Sequence, residues 1–139
     1  MALLHWRESL ALGVRVIDDD HRRLIDSINR LSVIIALGAE PAATAAILDE
    51  LSEHTRGHFR REEMLMRLAA YPGYAAHCAL HRMLAQRCED MRSSCRSGAG
   101  GARVHRLCDA FAEGLLVHMV EEDSKIKPFV MKLDEANAA

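Results

Sequence analysis

Apolar positions in this chain recur every three to four residues in four stretches, and breakers separate them. In the first, His21, Leu24, Ile28, Leu31 and Ile35 share one face, the spacing of an amphipathic helix. Asp18, Asp19 and Asp20 offer an N-cap and favourable charge, so the helix is expected to start there. Gly38 and Pro41 end it. The second stretch starts between Pro41 and Thr44, carries Ile47, Leu51, His58, Glu62 and Leu65, and stops at Tyr71-Pro72-Gly73. The third shows His77, His81, Leu84, Cys88, Met91 and Cys95, followed by a turn over Ser97-Gly98-Ala99-Gly100-Gly101. The fourth carries Val104, Leu107, Phe111, Leu115 and His118, and is expected to weaken before Pro128. No stretch alternates with the period of two that marks a strand. The pattern predicts an all-α chain forming an antiparallel up-down-up-down four-helix bundle over 18–126. An N-terminal extended arm, 1–17, and a C-terminal tail, 127–139, complete a single domain over 1–139. Trp6 is the arm's one large apolar anchor, expected to pack across one end of the bundle.

Those stripes contain groups that a dry core rejects. His21, His58, Glu62, His77, His81 and His118 all fall on inward positions, at least one from each helix. An unpaired buried polar group costs several kcal/mol, and a buried charge more. A neutral imidazole has one donor and one acceptor, so these groups cannot all satisfy one another. A metal centre resolves the conflict by taking their lone pairs as ligands. His58 and Glu62 are four apart, as are His77 and His81, so each pair stacks on one helix face. Asp123 is less simply placed. Five residues separate it from His118, and in an ideal helix that leaves the two side chains roughly 140° apart. Both reach one site only if the chain opens or widens between them, for example by a π-type turn, so irregular helix geometry is predicted between 118 and 123.

Composition narrows the function classes. The 139 residues carry a net charge of -2, which gives no basic surface for nucleic acid or anionic lipid. No apolar run reaches the ~20 residues of a membrane span, and the start MALLHWRESL does not read as a signal peptide. A cytoplasmic protein is expected. Cys78, Cys88, Cys95 and Cys108 form no CxxC pair and read as small buried hydrophobes. Five imidazoles with two carboxylates suit iron by ligand type, although the same set could accept zinc or manganese.

The chain resembles the hemerythrin family, and specifically single-domain bacteriohemerythrins. The resemblance rests on His21 in GVRVIDDDHRRL, His58 and Glu62 in HFRREEMLM, His77 and His81 in HCALH, and His118 with Asp123 in HMVEED. It implies an oxo- or hydroxo-bridged non-haem di-iron centre, without haem, in which Glu62 and Asp123 bridge the two iron ions. His77, His81 and His118 would complete one iron; His21 and His58 would hold the other, leaving a position for molecular oxygen. The implied activity is reversible oxygen binding, for carriage, storage or delivery, rather than an enzyme's turnover. The charges of irons, carboxylates and bridge, together with the hydroperoxide that bound oxygen would become, sum to the same value in the reduced and oxygenated forms, so oxygen enters a low-dielectric core without adding net charge. The alternatives are an oxygen or redox sensor acting through a separate partner, and peroxide or nitric oxide processing at the open iron, where small anions or peroxide could also bind.

Two positions depart from the family. Gly114 stands where members often place Trp, and serves either close helix packing or a wider opening towards the irons. His54 stands where an aromatic such as Tyr is common, as a pocket-rim group or a partly exposed polar residue. His5 and His105 are expected at the surface, and Arg60-Arg61 and Glu121-Glu122 read as solvated faces. Glu63 completes the family's double Glu, with its phase pointing away from the irons.

Overall fold

The computed structural model describes residues 3–98 and 100–138, with side chains described to residue 135. Met1, Ala2, Ala99 and Ala139 lie outside the described residues, so the expected arm, third turn and tail are described without them. Four long helices form the expected bundle: α1 (Arg15–Ala36), α2 (Pro41–Leu68), α3 (Tyr74–Arg96) and α4 (Gly101–Val117). A fifth, α5 (Lys127–Ala138), follows. Among the described residues there is no strand, and no helix is long and apolar enough to cross a membrane.

Cross-helix contacts fix the antiparallel order. Arg30 pairs with Glu50 while Arg61 pairs with Asp20, so α1 and α2 run in opposite directions. Ser52 donates to Glu89 and His81 to Glu63, which sets α3 against α2 in the same way. Leu24, Ile28, Leu31, Leu48, Leu51, Leu84, Met91 and Leu115 are almost wholly buried between the four helices. The four cysteines are buried and unbridged, as expected of small hydrophobes. Burial pushes the Cys88 and Cys108 thiols up to about 12, so they stay neutral.

Four expectations about the frame need correction. The helix α1 begins at Arg15, before the aspartates, with Val14 as an N-cap that lends no side chain. Asp18 instead turns back and accepts from the backbone N–H groups of Leu12 and Gly13, which ties the arm's end to the helix. The arm does not lie across one end of the bundle. It runs along α1, where Asn29 accepts from the Leu4 N–H and donates to the Leu4 carbonyl, both at 2.8 Å. Nor is Trp6 its sole anchor: Leu10 and Leu12 are buried, whereas Trp6 is half-buried beneath the Arg22 guanidinium, 4.4 Å from the ring centroid. Finally, the tail is helical. Pro128 is the second residue of α5, where a missing N–H costs no helical hydrogen bond, so it continues the chain as helix instead of stopping it.

Candidate metal centre

The fourth helix does not end at Val117; it changes pitch. Residues His118–Glu122 form one π-helical turn, closed by the Asp123 N–H donating to the His118 carbonyl five residues back. A short 3₁₀ turn, Asp123–Lys125, then leads into α5. The extra residue in the wide turn swings Asp123 inward beside His118, and both are buried. This is the irregularity that the five-residue spacing demanded.

All seven expected side chains meet in one cage. Ligand atoms of Glu62, His77, His81, His118 and Asp123 lie within 4.8 Å of one another. Those of His21, His58, Glu62 and Asp123 do the same. The two sets share only Glu62 and Asp123, from the last third of α2 and the end of the π turn. Glu62 is 0% exposed and Asp123 1%. Nε2 of His77 and of His81 lie 2.7 and 3.0 Å from Glu62 Oε1. Nε2 of His21, His77 and His118 lie 3.1, 3.0 and 3.0 Å from Asp123 oxygens.

These contacts fit a cation better than they fit each other. Glu62 Oε2, both Asp123 oxygens and His118 Nε2 are fully buried, and among the described residues none has an aligned hydrogen-bond partner. Nε2 of His21 and Nε2 of His58 face each other at 3.1 Å. Such lone pairs converge on a common centre rather than on donors, which is the geometry of a donor set. Without a metal the strain must be relieved by protons. Burial alone would lower His21 and His77, but Asp123 and Glu62 outweigh it and push both up to about 9. Burial alone would raise Asp123, but His118, His21 and His77 hold it down at about 2. Glu62 is likewise driven well below the ordinary carboxylate range by the four surrounding histidines, against its own burial.

The outer nitrogens have partners that a helix-by-helix reading does not show. His58 Nδ1 donates to Asp20 Oδ2 at 3.2 Å, and Arg61 grips the same carboxylate through two 2.8 Å bonds. Asp20 is thus not an N-cap, and Arg61 is not simply a solvated charge; Arg60 is. Burial would raise Asp20, yet His58 and Arg61 hold it at about 2. Glu63 accepts from His81 Nδ1 at 2.7 Å. Its phase does point away from the cage, as expected, but its carboxylate reaches the outer nitrogen of His81. The signals in the sequence were an acid directly before His21 and an acid directly after Glu62. Phe59 stacks flat on His81, with centroids 4.0 Å apart.

The bystanders sort less evenly. His54 is half-buried and outside both donor sets, with a buried Nδ1 that has no partner among the described residues. His5 is exposed, but His105 is half-buried beside Asp109, 3.7 Å away, so it is not a free surface group. Glu121 is exposed, while Glu122 is half-buried and pairs with Lys125 at 3.2 Å. The opening expected at Gly114 is partly filled: a Cβ there would meet Arg87 Nη1 at 2.7 Å.

Comparison with known proteins agrees with this geometry. Residues 12–130 match the hemerythrin HHE cation-binding domain. A bacteriohemerythrin of Stenotrophomonas maltophilia (strain R551-3) is 39% identical over 98 residues, 70% of this chain and 63% of the relative. The chain therefore spans less than two thirds of that relative's length. A bacteriohemerythrin of Methylococcus capsulatus (strain Bath) is 30% identical over 127 residues, 91% of this chain and 95% of its own. A crystal structure of wild-type hemerythrin superposes with a TM-score of 0.83 at 26% identity, covering 93% of this chain and 98% of that one. By domain, relatives and fold the chain belongs to the hemerythrin family, and the bacteriohemerythrins are members it resembles.

Proposed function

We propose that the cage holds two iron ions, bridged by Glu62 and Asp123, and that the protein binds molecular oxygen reversibly. The observation that carries this reading is the pair of donor sets, five and four strong, that share only the two carboxylates. When bound, two irons would supply the two electrons that dioxygen needs to bind and that it returns on leaving. The chain's own residues do the rest. His77, His81 and His118 crowd one position with imidazole. His21 and His58 give the other one fewer nitrogen, and the difference is a place for a small ligand. Leu24, Ile28, Leu84, Phe111 and Leu115 are almost wholly buried in the same core and keep bulk water from it. Glu62 and Asp123 are held ionised, so neither offers a proton to a ligand between them. Asp20 fixes the ring of His58 and Glu63 that of His81, each by taking the outer N–H.

An optical cycle tests the proposal. Reduced protein exposed to oxygen should develop a visible absorption that disappears under vacuum and returns on re-exposure. Irreversible bleaching or no colour at all would refute reversible binding. A second reading, peroxide consumption, is favoured by one observation: a hollow at Gly114 reaches the cage residue His118. Sustained turnover of peroxide without loss of metal would support that reading over carriage.

A further inference from the structure

Two surface hollows touch the back of the cage, and they differ in what separates them from it. One lies over His81 and is lined by Phe59, Glu63 and Arg56. Phe59 lies flat against the His81 ring, and Glu63 holds its outer nitrogen. That wall is closed by packed or hydrogen-bonded groups. The other hollow, about 190 Å³, is lined by Leu80, Met83, Leu84, Val117, Gly114 and His118, with Arg87 also at its wall. His118 shows 4% of its surface. Gly114 brings no side chain to cover it. What stands over Gly114 is the Arg87 guanidinium, with Nη1 only 2.7 Å from where a Cβ would lie.

The guanidinium rests there on very little. Its one hydrogen-bond contact among the described residues is Nη2 to Met83 Sδ at 3.8 Å, a weak acceptor. No carboxylate lies within ion-pair distance of it among the described residues; Glu122, on the same rim, is taken by Lys125. Arg87 is otherwise exposed, so its long side chain can leave the glycine and return with its charge in water throughout. Any side chain at position 114 would displace it. The geometry points to Arg87 as an access-determining residue: its guanidinium, seated on Gly114, narrows a small-molecule route to the His118 side of the cage, and the route widens when it swings out. The inference deepens the proposed oxygen-binding reading only in what it supposes to pass; the hollow and its cover do not depend on it.

The test uses the protein as purified, with two readouts. Xenon settles in dry apolar cavities, so crystals of wild type, Arg87→Ala and Arg87→Met are pressurised with it. In parallel, the rate at which hydrogen peroxide oxidises each reduced protein is followed optically. Arg87→Ala should hold xenon beside Gly114 at severalfold higher occupancy than wild type, and be oxidised severalfold faster. Arg87→Met keeps the length without the charge and should match wild type in both. Equal xenon occupancy in wild type and Arg87→Ala overturns the inference, as does an unchanged oxidation rate, or Arg87→Met behaving like Arg87→Ala. Arg87 lies at the surface, so the fold should survive, and circular dichroism checks it. Xenon reads the hollow whatever metal is bound. A chain that shows the xenon difference but carries no iron would therefore count against the di-iron reading and not against the narrowed route.

Discussion

The same four helices build two unlike halves of the bundle. Towards the 37–40 and 97–100 turns, Leu31, Leu48, Met91, Cys95 and Val104 make a core that is apolar except for small hydroxyl side chains. Towards the 69–73 turn, five histidines and two carboxylates fill the space that leucines take in the other half. The first half is held chiefly by burial, each large side chain contributing roughly 1.5–3 kcal/mol. The second holds buried lone pairs with no aligned hydrogen-bond partner among the described residues, a set that suits cations. The difference separates what folds the chain from what gives it chemistry, and it locates where removal of metal should be felt.

The largest expected effect breaks that comparison open. Chelation of the metal should destabilise the protein by several kcal/mol, with the loss confined largely to the cage half. Hydrogen exchange should show amides around His58–Met66, His77–Leu84 and Leu115–Asp123 losing protection while those around Leu31, Leu48 and Met91 keep most of theirs. Uniform loss through both halves would mean that they are not separable.

The converse experiment touches only the dry half. Leu48→Ala should lower stability by ~2–5 kcal/mol in a denaturant melt, with metal content and visible spectrum unchanged. A large loss of metal in that variant would show that the cage depends on the far core.

Within the cage half, the outer partners can be graded. Asp20→Asn leaves His58 Nδ1 without its anionic acceptor and Arg61 without its grip. A drop of roughly 10–100-fold in metal affinity is expected, measured by competition with a chelator. Glu63→Gln should cost less, because Glu63 is partly exposed and the amide oxygen can still accept from His81.

The smallest effect is one of pH, and it distinguishes protons from metal. In metal-free protein His21 and His77 are held at about 9 against an ordinary 6.5. The folded form therefore binds those protons more tightly; the stability they contribute is full below pH 6.5 and lost as pH rises through about 9. Asp20 and Asp123, held at about 2 against 3.8, contribute above pH 3.8 and lose their share as pH falls through about 2. Metal-free protein should thus be most stable between those windows. Metal-loaded protein should lack the alkaline decline, since its imidazoles have already given up their protons. Thermal melts of both forms across this range provide the check.

Much of this was legible in the sequence, for a definite reason. Helix phase is a property of one helix at a time, and it sufficed to bring His58 with Glu62, and His77 with His81, onto inward faces. It also required a widened turn between His118 and Asp123, because only a change of pitch aligns residues five apart. Pairings between helices were not legible. Arg61 looks like one of a run of surface charges until α1 brings Asp20 beneath it. Arg87 has no visible connection to Gly114 until α3 and α4 pack. The start of α1 was hidden because Val14 lends no capping group, and α5 because proline is harmless in a helix's first turn.

The central claim is that Glu62 and Asp123 join two metal positions into one centre. Iron per chain, measured on freshly purified wild type and on Glu62→Ala, tests it most directly. Two irons are expected in the wild type and nearly complete loss of both in the variant, since each position loses a shared carboxylate. Well under two irons in the wild type, or a variant that keeps one iron firmly bound, would contradict it.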